Sequence, residues 1–473
     1  MKKTLAIILS LVLCASCLFG CGGGVEKKAQ KSAPDSDDVT ITVWSTEAGA
    51  QVAYEELVSE WNATEGDEKN IFIDWVTTTD GTQIDVAQQS GQLPHLFNVS
   101  GNQRAKFIEQ GDVLALDDLP GGKEFIEEFA QPGIEGQTLV DGKTYGVQPN
   151  VKTAALAYNK DLFKQAGIVD KNGEPTPPET LEELREYAKK ITALGNGIYG
   201  FAFPLKFGLS YTVAVQQGSY YNNNVEEKAS SWIDLDNLTV DCSGYKDIYQ
   251  WLLDMKKDGS IFPGAETLDN DTARAYFAAG TIGMIPAISW DVAVYNDQFK
   301  AECDWDICQY PSVEGKEIVH HWNQRGGMRL IGKKAAEKNP EETMEVIKFL
   351  YSKELRAELF ERGINLSSKR DVLEIVDESK IDPRFLKFGE FVDEETRYAT
   401  SESYTVEGNN WETLFQKVWM GSITLDEAIA DYEARATAGL KKAVSRGEYD
   451  VQRQKRVRRY LLGEDGVDIT MTH

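Results

Sequence analysis

From Val39 onward the hydrophobic pattern switches between a period of two and a period of about 3.6, which narrows the fold more than any other feature of the chain. Val39-Thr-Ile-Thr-Val-Trp44 alternates as a strand, Ser45 to Gly49 read as a turn, and Ala53, Leu57 and Trp61 then recur at helical spacing. Ile71 to Val76 reads as a second strand and Leu96-Phe-Asn-Val99 as a third. That order predicts an α/β fold, an open sheet wound on both faces by helices. Later helices announce their starts. Pro177 and Pro178 precede a capping box at Thr180-Leu-Glu-Glu183, after which Leu181, Leu184, Tyr187 and Ile191 share a face. Asn339-Pro340 opens another helix, with Ile347, Leu350, Tyr351, Leu355 and Leu359 inward. Thr424-Leu-Asp-Glu427 caps a third, with Ile429, Tyr432, Leu440 and Val444 on its face. The 473 residues suit two or three compact domains, and 41% hydrophobic residues supply their cores. No internal repeat is apparent.

Charge excludes one class of partner. The chain holds 76 acidic and 50 basic side chains, a net −26, whereas nucleic acid is held by a basic field. The N-terminus points to an address. Lys2 and Lys3 precede an uncharged, mostly apolar run from Leu5 to Phe19, shorter than the ~20 residues that span a bilayer and suited to the core of a secretory signal peptide. Leu18-Phe-Gly-Cys21 resembles a bacterial lipobox. The resemblance implies that residues 1–20 are removed and that Cys21 carries the lipid (palmitate among its chains), anchoring the protein to the outer face of the cytoplasmic membrane. Residues 21–38 are polar and glycine-rich and are expected to form a flexible tether spanning roughly 20–25 Å.

Beyond Cys21 the cysteines are Cys242, Cys303 and Cys308, expected to be free, buried thiols. Four histidines (His95, His320, His321 and His473) without a HExxH or a paired CxxC motif point to no metal site, and no cofactor is expected. Gly327-Met-Arg-Leu-Ile-Gly332-Lys333 matches most of a phosphate loop. Lys334 stands where a Ser or Thr should be, however, and the interior is an apolar strand. Asp234, Asp236 and Asp241, or Asp269 and Asp271, lack the spacing of a calcium loop.

Several stretches then combine. Ser90-Gly-Gln-Leu-Pro-His-Leu-Phe97, Val140-Asp-Gly-Lys-Thr-Tyr-Gly146, Ala157-Tyr-Asn-Lys-Asp-Leu-Phe163, Ala273-Arg-Ala-Tyr-Phe-Ala-Ala-Gly280 leading to Met284 and Trp290, and Leu425-Asp-Glu-Ala428 follow one another. In this order, behind a lipobox, they resemble the family 1 extracellular solute-binding proteins of ABC importers, the maltose-binding-like, carbohydrate type. His95 departs from that family's usual aspartate, which puts the cleft rim in question. The resemblance implies a two-lobed periplasmic-binding-protein fold (type II-like) with a hinge and an interlobe ligand cleft. Lobe 1 would take residues 39–149 plus 312–372 and lobe 2 residues 150–311 plus 373–445. A basic extension, 446–473, follows; its Arg453-Gln-Lys-Arg-Val-Arg-Arg459 run reads as a helix packed on the acidic body rather than a lipid-docking segment.

Candidate ligand-binding residues follow from loops at strand ends, where open sheets hold ligands. Glu47, Asp80 and Asn102 come after the first three strands, each also readable as a cap or turn residue. Trp290, with Asp291 beside it, stands where the family places a ligand-stacking aromatic, and Trp411 occupies a similar late position. Trp322 and Arg325 lie in a polar, glycine-rich segment, and Tyr145 precedes the first crossover. Rings that stack on sugar faces beside hydroxyl-reading groups suit a carbohydrate. Trp61, Trp75, Trp232, Trp251, Trp305 and Trp419 read better as core. The expected function is capture of an oligosaccharide by a monomeric binding protein that delivers it to permease subunits. A polyamine or metal complex is the alternative within that class, and a surface glycosidase, needing two carboxylates about 5–10 Å apart, the alternative outside it.

Overall fold

A computed structural model describes residues 30–47, 50–78, 82–99, 101–131, 133–134, 137–205, 233–242, 246–312, 323–392, 404–461 and 466–467. Cys21, Asp80, Trp232 and Trp322 lie outside these residues, as does the side chain of Asn102.

The alternating run at the start of the body is strand β1 (Val39–Ser45), which buries Ile41, Val43 and Ser45 on one face. It pairs in parallel with β2 (Ile71–Thr77) and β3 (Leu96–Phe97), Val43 standing opposite Trp75 and Leu96. With β4 (Val113–Leu114) and the much later β14 (Leu330–Gly332), these form a five-stranded sheet in the order β2-β1-β3-β14-β4. The helix Gln51–Asn62 packs Val58 and Trp61 against Ile41, Ile71 and Ile73, and the helix Pro340–Leu350 adds Met344, Val346, Ile347 and Leu350 to the same core. Gly332 is required where β14 passes β3: a Cβ there would lie 2.1 Å from the Pro94 carbonyl oxygen. The phosphate-loop-like run is therefore packed strand, as its apolar interior implies.

After the hairpin β5 (Leu139–Val140) and β6 (Lys143–Thr144), the chain enters β7 (Asn150–Asn159), the spine of the second lobe. Its apolar run is flanked on both sides, by β11 (Ile282–Ile288) and β12 (Trp305–Cys308), both antiparallel. β8 (Tyr199–Phe201) extends the sheet alongside β11, and a small ribbon of β9 (Ile233–Asp234) and β10 (Thr239–Val240) lies apart. The first residues of β7 have other partners. Asn150 and Val151 pair with Gly326 and Arg325 of β13 (Asn323–Gly326) and with Ser367 and Leu366 of β15 (Leu366–Ser367). Three passages of chain thus meet where the two sheets adjoin, and β13 runs on directly into β14 of the first sheet. The helix Lys353–Glu361 faces both ways: Leu355 and Leu359 pack with Tyr54 and Leu57, and Ala357 and Phe360 with second-lobe residues.

The predicted caps are in place. Glu427 N–H donates to Thr424 Oγ1 at 3.2 Å and Thr424 N–H returns to the Glu427 carboxylate at 2.8 Å, a full capping box. Thr180 caps its helix too, but Glu183 reaches one residue further back, to the N–H of Glu179 at 2.8 Å. The basic segment forms the helix Val451–Leu461, which buries Arg453 and Val457, donates from Arg458 to the Ile233 carbonyl at 2.9 Å and pairs Lys455 with Asp236. It is packed on the body, as charge alone suggested. The polar segment before Val39 is less free than its composition implies. Lys31 Nζ lies 2.8 Å from carboxylates of Asp35, Asp38 and Asp67, and its N–H donates to the Ser59 carbonyl at 3.1 Å, so the segment is attached to lobe 1 from Lys31 onward.

His95 is buried at the foot of β3 rather than on a rim. Its Nδ1 accepts the Thr42 N–H at 3.1 Å, which fixes the proton on Nε2, and burial pushes its pKa below the ordinary histidine value. The unfolded chain therefore takes up this proton first as pH falls, so the contribution is complete above about pH 6.5 and is lost as pH drops below it. The thermal unfolding midpoint is expected to fall more steeply from pH 7 to pH 5 in the wild type than in His95→Asn; parallel falls would refute this.

Cys242, Cys303 and Cys308 are free thiols, Cys242 buried and the other two half-buried. Among the described residues no group of three His, Cys, Asp or Glu side chains is placed to hold a metal ion, and no helix is long and apolar enough to cross a membrane. The acidic pairs have local duties. Asp234 accepts the N–H groups of Asp236 and Asn237, Asp269 caps a helix through Thr272 N–H, and Asp271 pairs with Arg274.

Candidate functional site

The loops after β1 and β3 are tied together before any ligand is considered. Thr46 N–H donates to the buried Asn98 Oδ1 at 2.8 Å, and Glu47 N–H donates to Ser45 Oγ at 3.2 Å. Glu47 is thereby aimed at Arg329, whose Nη2 lies 3.0 Å from its carboxylate. Arg329 is wholly buried at the passage between β13 and β14. Its guanidinium lies 5.2 Å from the Tyr54 ring centre and 5.4 Å from that of Trp75, two rings themselves stacked at 4.7 Å. Its Nη1 donates to the Gly327 carbonyl at 3.2 Å and its backbone N–H to the Tyr351 hydroxyl at 3.0 Å. Burial, reinforced by the Glu47 charge, pushes the Tyr54 hydroxyl up to about 12. Glu47 is therefore a half-exposed carboxylate on a rigid, buried cation (22% against 0% side-chain exposure), as a hydroxyl acceptor needs to be.

The second lobe contributes Trp290, half-buried just after β11. Asp291 holds it there from within: its carboxylate accepts the Ile288 N–H at 2.8 Å and lies 2.6 Å from Arg274 Nη2. At 3% exposure, with both oxygens engaged, Asp291 positions the turn that carries Trp290 and does not face a ligand, which corrects the sequence expectation. Between the lobes, Lys152 on β7 lays its ammonium 4.8 Å from the Trp290 ring centre. Burial lowers its pKa, and the Glu47 charge partly opposes that.

Two other expectations change. Trp411 is a core residue of the second lobe, the first of the helix Trp411–Trp419, packed edge-on against Tyr249 at 5.1 Å and Tyr432 at 5.7 Å. Arg325 pairs across the ladder with Val151, while Gln324 pairs with Lys152, so strand alternation puts Arg325 on the face opposite Lys152. Tyr145 is half-buried and joins the apolar group around Phe97, Phe107 and Met328. The structure therefore brings Glu47 and Trp290 toward the hinge strand and leaves Trp411 and Arg325 elsewhere.

Sequence reasoning passed over Lys152, Arg329 and Arg104. Two of them had a signal: Lys152 and Arg329 are single charges inside mostly apolar strand runs, where an ion is expensive unless paired or used. Arg104 sits on the helix Gly101–Glu109, with Nη1 3.5 Å from Met328 Sδ.

The sequence matches the family model for bacterial extracellular solute-binding proteins over residues 32–385. A binding protein of Brucella abortus (strain 2308) is 25% identical over 350 residues, 72% of this chain and 78% of that protein. The sn-glycerol-3-phosphate-binding periplasmic protein UgpB of the same organism is 30% identical over 238 residues, 48% of this chain and 51% of that one. The sugar-binding protein MalE of Xanthomonas citri superposes with a TM-score of 0.62, covering 87% of this chain and all of that one, at 18% identity; the likeness there is one of fold.

Proposed function

The chain belongs to the bacterial extracellular solute-binding proteins, and from that premise we propose that it captures a carbohydrate, an oligosaccharide in particular, between its lobes for uptake by an ABC importer. The observation that carries this reading is Trp290, a half-exposed indole on a turn fixed by a buried carboxylate and lying against Lys152 of the hinge strand, which in turn feels the charge of the anchored acceptor Glu47. A flat apolar ring supplies the stacking surface and Glu47 the hydroxyl recognition. Among the relatives, MalE of Xanthomonas citri is a sugar-binding protein, whereas UgpB of Brucella abortus is an sn-glycerol-3-phosphate-binding protein. Glu47 and Asp291 do not form a glycosidase pair, since Asp291 is buried within the turn and does not face the cleft.

Lobe 1 comprises residues 39–149 plus 312–372 and lobe 2 residues 150–311 plus 373–445 in this reading. Closure turns on β7, β13 and β15, because a ligand that touches both lobes binds the closed form better and so shifts the population toward it. The closed monomer then offers the permease subunits a surface spanning both lobes. Cys21 carries the lipid anchor, and residues from there to Lys31 set the height of the body above the membrane.

A thermal-shift screen across neutral and charged saccharides tests the class. A sugar at 100 times its Kd should stabilise the folded protein by about 2.7 kcal/mol and raise its melting temperature. No shift with any saccharide would end the carbohydrate reading.

A further inference from the structure

In a chain of net charge −26, a cation without an ion pair lies against the candidate stacking ring. Lys152 is half-buried on the hinge strand and touches the Trp290 ring, and among the described residues it makes no ion pair. Among the described residues Glu47 is the one acid whose charge bears on it, and that carboxylate is already held by Arg329.

An ammonium donates three hydrogen bonds and accepts none, and holding it partly out of water without a counter-charge costs free energy that a ligand anion would recover. A neutral sugar needs no such group. We propose that the solute is an acidic carbohydrate, one that carries a carboxylate or a phosphate ester, and that Lys152 pairs with that anion while the sugar ring lies on Trp290. The inference rests on the carbohydrate reading and narrows it. Lys152 is the residue that determines specificity.

Matched pairs test this by calorimetric titration: trigalacturonate against a neutral galactose trimer, glucuronate against glucose, and glucose 6-phosphate against glucose. One hydrogen-bonded charge pair is worth about tenfold or more in affinity. At least one acidic member should bind about tenfold tighter than its neutral mate, and added salt should narrow the gap. In Lys152→Gln the ratio of affinities between the acidic member and its neutral mate should fall to about one, and Lys152→Arg should retain the preference. Which acid is preferred assigns the anion to carboxylate or phosphate. Neutral members binding as tightly as their acidic mates, or a preference that survives Lys152→Gln, would overturn the proposal and leave carbohydrate binding standing. Failure of every member to bind would overturn both.

Discussion

Replacing Trp411 by alanine is expected to lower the free energy of unfolding by about 3–5 kcal/mol and to leave the ligand affinity of the folded fraction unchanged. The indole is 9% exposed, at the head of a helix whose Asn410 caps the Thr413 N–H at 2.9 Å. It is enclosed by Tyr249 and Tyr432 within a core that also holds Leu414, Phe415, Trp419 and Leu440. Deleting it leaves a cavity among rings of neighbouring helices that cannot easily collapse. Denaturant unfolding monitored by circular dichroism reads the effect as a lower midpoint. A loss under 1 kcal/mol, or a loss of affinity without a loss of stability, would return Trp411 to the ligand.

The misreading of Trp411 shows where local sequence runs out. Gly408-Asn-Asn-Trp411 looks like a ligand loop because its residues are turn formers, yet the same residues are what a helix start requires, and only the position of Tyr249 decides between them. Strands and caps were legible because their causes are local. The alternation of β1 and the Thr424–Glu427 box depend on residues a few positions apart. The pairing of Glu47 with Arg329 joins positions 282 apart, and no pattern near either one announces it. His95 was read as a change at the cleft rim for the same reason, since its partner Thr42 lies on another strand. Net charge misled in a different way. It averages over the whole surface and so conceals the single cation, Lys152, that lies against the Trp290 ring.

Trp290 is the converse of Trp411. Its ring is half-buried and rests on Lys152, and its backbone is fixed by the Asp291–Arg274 pair rather than by packing of the indole itself. Trp290→Ala should therefore shift the unfolding transition little. An aromatic anchor typically carries 2 kcal/mol or more of a binding free energy, about thirtyfold in Kd. Part of that loss will come from Lys152, which also loses its ring partner.

The most direct measurement is a calorimetric titration of wild type and Trp290→Ala with the saccharide that stabilises the protein most in the thermal screen. Trp290→Ala should bind it about thirtyfold more weakly, with an unfolding midpoint within about a degree of wild type. Wild-type affinity in that variant would contradict this, because the sugar would then be bound somewhere other than between the lobes at this ring.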